Sequence, residues 1–93
     1  MQSKLPFSKT AMSKAEQSLV SQIWQAIREL QVFTVDAIAD RLNLTSQEVQ
    51  GYVFWLRRVG YIGFVANGFE LIKNTGSKAP IGLKTGFYDP NIA

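Results

Sequence analysis

The chain has 93 residues, of which 46% are apolar and 18% charged, enough for one modest core and not for two. It contains no cysteine and no histidine, which excludes disulfides, thiolate nucleophiles, cysteine-bearing zinc sites and the commonest metal ligand and general base. The net charge of +3 is unevenly placed: Lys4, Lys9 and Lys14 open the chain and Lys73, Lys78 and Lys84 stand against Asp89 near its end, whereas residues 15–72 carry four arginines against six carboxylates.

A first helix is signalled by Ser13-Lys14-Ala15-Glu16, a capping box in which the serine hydroxyl accepts from a free amide at the helix start and the glutamate reaches back to another. Leu19, Val20, Ile23, Trp24, Ile27 and Leu30 then recur at steps of three and four, which gathers them on one helical face. Gln31-Val32-Phe33 is too short for a helix and reads as a linker or a very short strand. Thr34 suits a helix cap, Asp36 favours the first turn through the helix dipole, and Val35, Ile38, Ala39 and Leu42 form the apolar stripe of a helix of two to three turns.

Asn43-Leu44 implies a tight turn, because asparagine tolerates the left-handed conformation that ends many helices. Thr45-Ser46-Gln47-Glu48 is a second capping box, and Val49, Tyr52, Val53, Leu56 and Val59 follow with helical spacing, so a third helix is expected over residues 46–59 with Gly60 as its stop. Asn67-Gly68 between two apolar segments predicts a hairpin with both loop residues at positive φ. Counting outward from that loop pairs Ala66 with Phe69 and Phe64 with Leu71, and puts Ile62, Phe64, Phe69 and Leu71 on one surface that packs on the helices.

From Asn74 onward glycine and proline recur too often for regular structure to be expected, although Ile81, Leu83, Phe87, Tyr88 and Ile92 keep the segment apolar. It either folds back over the domain or serves as an arm that orders on a partner.

Helix, short helix, tight turn, helix and hairpin is the element order of the winged helix-turn-helix, and residues 34–72 resemble that DNA-binding superfamily. The resemblance is carried by Phe33 through Thr45, with Ala39 where the family's helices cross closely and Asn43 where it often has glycine, by Val49 and Tyr52 at two buried positions of the recognition helix, and by Leu56 through Ile62 at the exit into the wing. The stretch Lys73 to Pro80 is similar to small proteins encoded by Mu-like phages. The implied fold is α+β, mostly α: a winged helix of three helices plus a C-terminal two-stranded β-hairpin wing. The implied layout is a flexible basic N-terminal arm over residues 1–12, the winged-helix domain over 13–73 and an irregular C-terminal tail over 74–93.

What the resemblance implies for function is a regulator that binds double-stranded DNA with residues 46–59 in a major groove. The candidate DNA-binding residues are Ser46, Gln47, Gln50, Gly51, Phe54, Arg57 and Arg58 on that helix, with Lys4, Lys9, Lys73 and Lys78 for phosphate attraction. Gln47 and Gln50 have the paired donor and acceptor that adenine requires, and Ser46 suits phosphate or base. Gly51 permits either close approach to a groove or close helix packing. Arg57 and Arg58 suit phosphates and equally complement the helix dipole, while Glu48 has a local role in the capping box.

Two features point to another class of function. The expected wing tip, Ala66-Asn67-Gly68, has no lysine or arginine, and Phe54 and Trp55 are adjacent on a helix, so that both cannot occupy one narrow core stripe. Trp55 is expected either under the hairpin or tail or as an exposed aromatic anchor. The alternative is therefore a protein-interaction module, with a partner subunit or a second copy in a weak homodimer docking on exposed aromatics and the apolar tail. Asp36 and Asp40 supply two carboxylates, an incomplete metal site, so no metal, cofactor or catalytic constellation is expected. No apolar run reaches the roughly 18 residues of a membrane span and residues 1–12 have no apolar block of secretory type, so a cytoplasmic location is expected.

Overall fold

The computed structural model describes residues 14–83 and 86–92; Lys4, Lys9, Ser13 and Lys84 lie outside the described residues, and with them the expected basic arm and first capping box. Helix α1 spans Lys14–Leu30 and buries Val20, Ile23, Trp24 and Ile27, the stripe that its spacing predicts. It ends where Gln31 turns into the left-handed region at φ 67, still bonded through its amide to the Ile27 carbonyl at 2.8 Å. Strand β1, Val32–Phe33, follows directly.

Helix α2, Val35–Leu42, starts at Thr34, whose hydroxyl accepts from the Ala37 amide at 3.0 Å, and buries Ile38 and Ala39. Asn43 ends it at φ 58, ψ 46, and the next amide, that of Leu44, returns to the Ala39 carbonyl at 2.8 Å. Helix α3, Ser46–Arg58, opens with the expected capping box: the Thr45 hydroxyl accepts from the Glu48 amide at 3.2 Å, and the Glu48 carboxylate accepts from the Thr45 amide at 2.9 Å. Val49, Tyr52, Val53 and Leu56 face inward, and Gly60 makes the exit at φ 93. Strands β2, Ile62–Val65, and β3, Gly68–Leu71, complete a three-stranded antiparallel sheet in the order β1-β3-β2. The described residues thus form an α+β fold, about half helical, in which three helices pack with this three-stranded sheet.

Two expectations about the hairpin need correction. It is not a two-stranded ribbon, because β1 pairs along the other edge of β3, Val32 opposite Glu70 and Phe33 opposite Phe69. The register also differs by two residues: Ile62 lies opposite Leu71, Phe64 opposite Phe69 and Val65 opposite Gly68, so the loop is Ala66-Asn67. Neither loop residue has positive φ, and Gly68 is instead the first residue of β3. A shift of two preserves which side chains share a face, because strands repeat every two residues. Ile62, Phe69 and Leu71 are accordingly buried. Phe64 is not: it is 67% exposed on edge strand β2 beside the loop.

Residues 74–83 and 86–92 are not irregular throughout. Strands β4, Ile81–Leu83, and β5, Gly86–Tyr88, pair antiparallel as a second small sheet. The segment folds back over the core: Ala79, Pro80 and Asp89 are buried, the Trp24 indole donates to the Gly76 carbonyl at 2.9 Å, and the Tyr52 hydroxyl donates to the Pro80 carbonyl at 2.7 Å. Gly76 takes φ 144 and Pro90 lies in the turn after β5, whereas Gly82 and Gly86 lie within the strands, and the anchors of the segment are core side chains more than 25 residues away. The interior lies between the three helices and the three-stranded sheet, with Trp24 and Tyr61 meeting edge to face at 6.0 Å. No helix among the described residues is long and apolar enough to cross a membrane.

Candidate nucleic-acid interface

The buried side of α3 fixes what its other side presents. With Val49, Tyr52, Val53 and Leu56 inside, positions 47, 50, 51, 54 and 58 fall on the opposite face at steps of three and four. Gln47, Gln50, Phe54 and Arg58 are exposed there, and Gly51 is partly buried between them. Arg57 is exposed beside this stripe, on the flank that meets the sheet.

Several candidate groups are already engaged within the fold. The Ser46 hydroxyl donates to the Asp36 carboxylate at 2.7 Å, which ties α3 to α2 and places a negative charge beside the start of the stripe. Glu48 is held in the capping box, where it also accepts from the Thr45 hydroxyl at 3.1 Å. Trp55 is half-buried and stacked on Tyr52 at 5.8 Å.

At the far end of the stripe four phenylalanines converge from α3 and three strands. Phe69, on the central strand, contacts Phe33 at 5.7 Å, Phe64 at 5.4 Å and Phe54 at 6.2 Å between ring centres. Phe33 and Phe69 are buried, whereas Phe54 stays 48% exposed. The Arg57 guanidinium lies 4.7 Å above the Phe64 ring, a cation–π contact that gives the outer surface of this cluster a positive charge. Glu70 belongs to the other face of the sheet, because it alternates with Phe69 and Leu71. The far half of the α3 surface is therefore aromatic and cationic, and its near half is amide-bearing.

Lys73 and Lys78 are not grouped with α3. The Lys73 ammonium lies 5.1 Å from the centre of the Tyr61 ring, and Lys78 borders a cleft of about 270 Å³ with Gln17 and Ser21 of α1 and Ser77, Ile81 and Pro90 of the C-terminal segment. Lys4 and Lys9 lie outside the described residues. Of the remaining arginines, Arg41 pairs with Glu29 and Arg28 donates to Asn74 and Gln25. No group of three or more acidic side chains among the described residues is placed to hold a metal ion.

Two groups have surroundings that the sequence does not disclose. Phe64 is expected under the helices, and its alternation with Ile62 gives no sign that its place on edge strand β2 leaves it exposed. Asp89 figures in the sequence only as a charge against Lys73, Lys78 and Lys84, yet it is 6% exposed and accepts from Tyr61 at 2.6 Å, Thr75 at 2.5 Å and the Asn91 amide at 2.9 Å. Burial pushes its carboxyl up, but the bonds from Thr75, Tyr61 and Asn91 outweigh that and hold it below the usual carboxylate range. Burial first, then the bond to Asp89, raises the Tyr61 hydroxyl, and burial raises Tyr52 still more than its charged neighbour Asp89 does. These are structural acids with satisfied partners.

No family model, no curated protein and no solved structure matches this chain.

Proposed function

We propose that the chain is a winged helix-turn-helix regulator of DNA, with α3 as recognition helix and the β2–β3 hairpin, joined by β1, as its wing. The observation that carries the reading is the stripe Gln47, Gln50, Gly51, Phe54 and Arg58 on a helix whose opposite face is locked into the core. Such a helix presents hydrogen-bonding side chains from a rigid support, as reading base edges in a major groove requires. The capping box and the Ser46–Asp36 bond fix the start of that helix against α2.

Affinity in this reading comes from phosphates and preference from bases. Arg58, Lys4, Lys9, Lys73 and Lys78 are the phosphate candidates. Neutralising about four phosphates gives a slope of about −3.6 in log affinity against log salt. The test is a fluorescence titration of the 93-residue chain against random duplex DNA at two salt concentrations. Salt-dependent binding supports the reading, binding indifferent to salt rules it out, and replacing Gln47 and Gln50 by alanine should then weaken binding to a duplex selected from the pool more than to random DNA.

A second reading is favoured by the exposure of Phe64 and by a wing loop, Ala66-Asn67, without a cation. In it, the Phe54–Phe64 surface with Arg57 docks a protein partner, and the whole is an interaction module. Phe64→Ala then abolishes partner capture while leaving DNA affinity unchanged.

A further inference from the structure

We infer that α3 is built to read A·T base pairs, with Gln47 and Gln50 addressing adenine and the Phe54 ring packing on a thymine methyl group. The inference rests on the DNA-binding reading above and adds the class of site. Guanine is recognised chiefly by arginine or lysine through its O6 and N7 atoms, and residues 46–56 contain neither. The first cation on the helix is Arg57, whose guanidinium is engaged over the Phe64 ring, and Arg58 stands in the last turn, where phosphate contact suits it. What the first three turns offer outward is two amide side chains, a glycine and a phenylalanine.

A carboxamide donates and accepts at the spacing of adenine N6 and N7, so Gln47 and Gln50 match adenine and not guanine, which presents two acceptors. Gly51 lies between them and Phe54 on the same stripe, so no side chain holds the helix backbone away at that point. Phe54 has no polar group, and the C5 methyl of thymine is the apolar feature that base edges present in the major groove. Its ring is held against Phe69 at 6.2 Å and still half exposed, so it offers a fixed apolar surface rather than a mobile one. Gln50 and Phe54 are one helical turn apart, a rise of about 6 Å. That separation corresponds to about two base-pair steps of 3.4 Å, so adenine and thymine are expected two steps apart.

The experiment selects preferred duplexes from a random pool with the full chain. The selected duplex is then titrated beside copies in which single thymines are replaced by deoxyuridine, which removes the methyl group alone. The expected result is enrichment of A·T pairs and, at one position, an affinity loss of about four-fold, the effect of returning one methyl group to water. Phe54→Ala should bind the thymine and uracil duplexes equally, Phe54→Leu should keep a reduced discrimination, and Gln50→Ala should lose adenine preference while melting like the parent. G·C-rich selection, or salt-dependent binding blind to every methyl group, overturns this inference and leaves the DNA-binding reading standing. Absence of duplex binding even at low salt overturns both.

Discussion

The Tyr61 hydroxyl donates to Oδ2 of Asp89 across 2.6 Å, joining the residue before β2 to the turn that follows β5. Thr75 and Asn91 complete the set of donors, and the Asn91 side chain also donates to the Lys78 carbonyl at 2.6 Å, so one buried carboxylate organises both ends of the C-terminal segment. Asp89→Ala is expected to lower stability by about 3 kcal/mol in urea unfolding, because it leaves several buried donors without their charged acceptor. Tyr61→Phe, which removes one donor and keeps the ring against Trp24, should cost about 1.5 kcal/mol. Equal losses for the two variants would refute the proposed role of Asp89 as the hub.

The same carboxylate sets an acid limit. Because the folded protein holds Asp89 below its unfolded value, its contribution is present in full above about pH 4 and is lost as pH falls through the folded value. Tyr52 and Tyr61 act in the opposite sense: their hydroxyls are raised, so their contribution is complete below about pH 10 and is lost as pH rises further. Stability measured by urea unfolding should be flat between these limits as far as these groups determine it. Asp89→Asn should remove the Asp89 part of the acid fall, and an undiminished fall in that variant would assign it elsewhere.

Gly68 stands where β3 passes β1. A Cβ there would lie 2.4 Å from the Phe33 carbonyl oxygen and 3.1 Å from Cγ2 of Thr34, and backbone cannot withdraw as a side chain can. Gly68→Ala should cost about 1–3 kcal/mol and speed amide exchange at Phe33 and Phe69. Gly63→Ala is the control, since its Cβ meets the flexible end of the exposed Ile72 side chain, which can move aside. A smaller loss for Gly68→Ala than for Gly63→Ala would contradict the packing described.

If Arg58 contacts phosphate, Arg58→Ala should weaken binding to all duplexes alike and make the salt slope shallower by about 0.9. Gln50→Ala should leave the slope unchanged and alter sequence preference instead. An unchanged slope for Arg58→Ala would reassign that cation to the helix dipole, which it complements in the last turn of α3.

Much of the α3 surface was legible in the sequence, since Gln47, Gln50, Phe54 and Arg58 follow from helical spacing once Val49, Tyr52, Val53 and Leu56 are recognised as core. The engagements of Ser46 with Asp36 and of Arg57 with Phe64 were not, because each partner comes from a different element. Phe64 illustrates the limit well: alternation assigned its face correctly, but its exposure on edge strand β2, with the Arg57 guanidinium over its ring, depends on partners from other elements.

The sequence by itself determined the three helices, their caps at Thr34 and Thr45, the left-handed turn at Asn43 and the existence of a hairpin, since each depends on contacts within about four residues. Tertiary structure decided the third strand, the two-residue change of register and the folding back of the segment that carries Pro80 and Asp89. Each of those choices is between alternatives that are locally equivalent: a strand slipped by two keeps its faces, and a segment rich in turns is held or released by distant partners. Phe69, packed between Phe33 and Phe64, and Asp89, bonded to Tyr61 and Thr75, are what distinguish them.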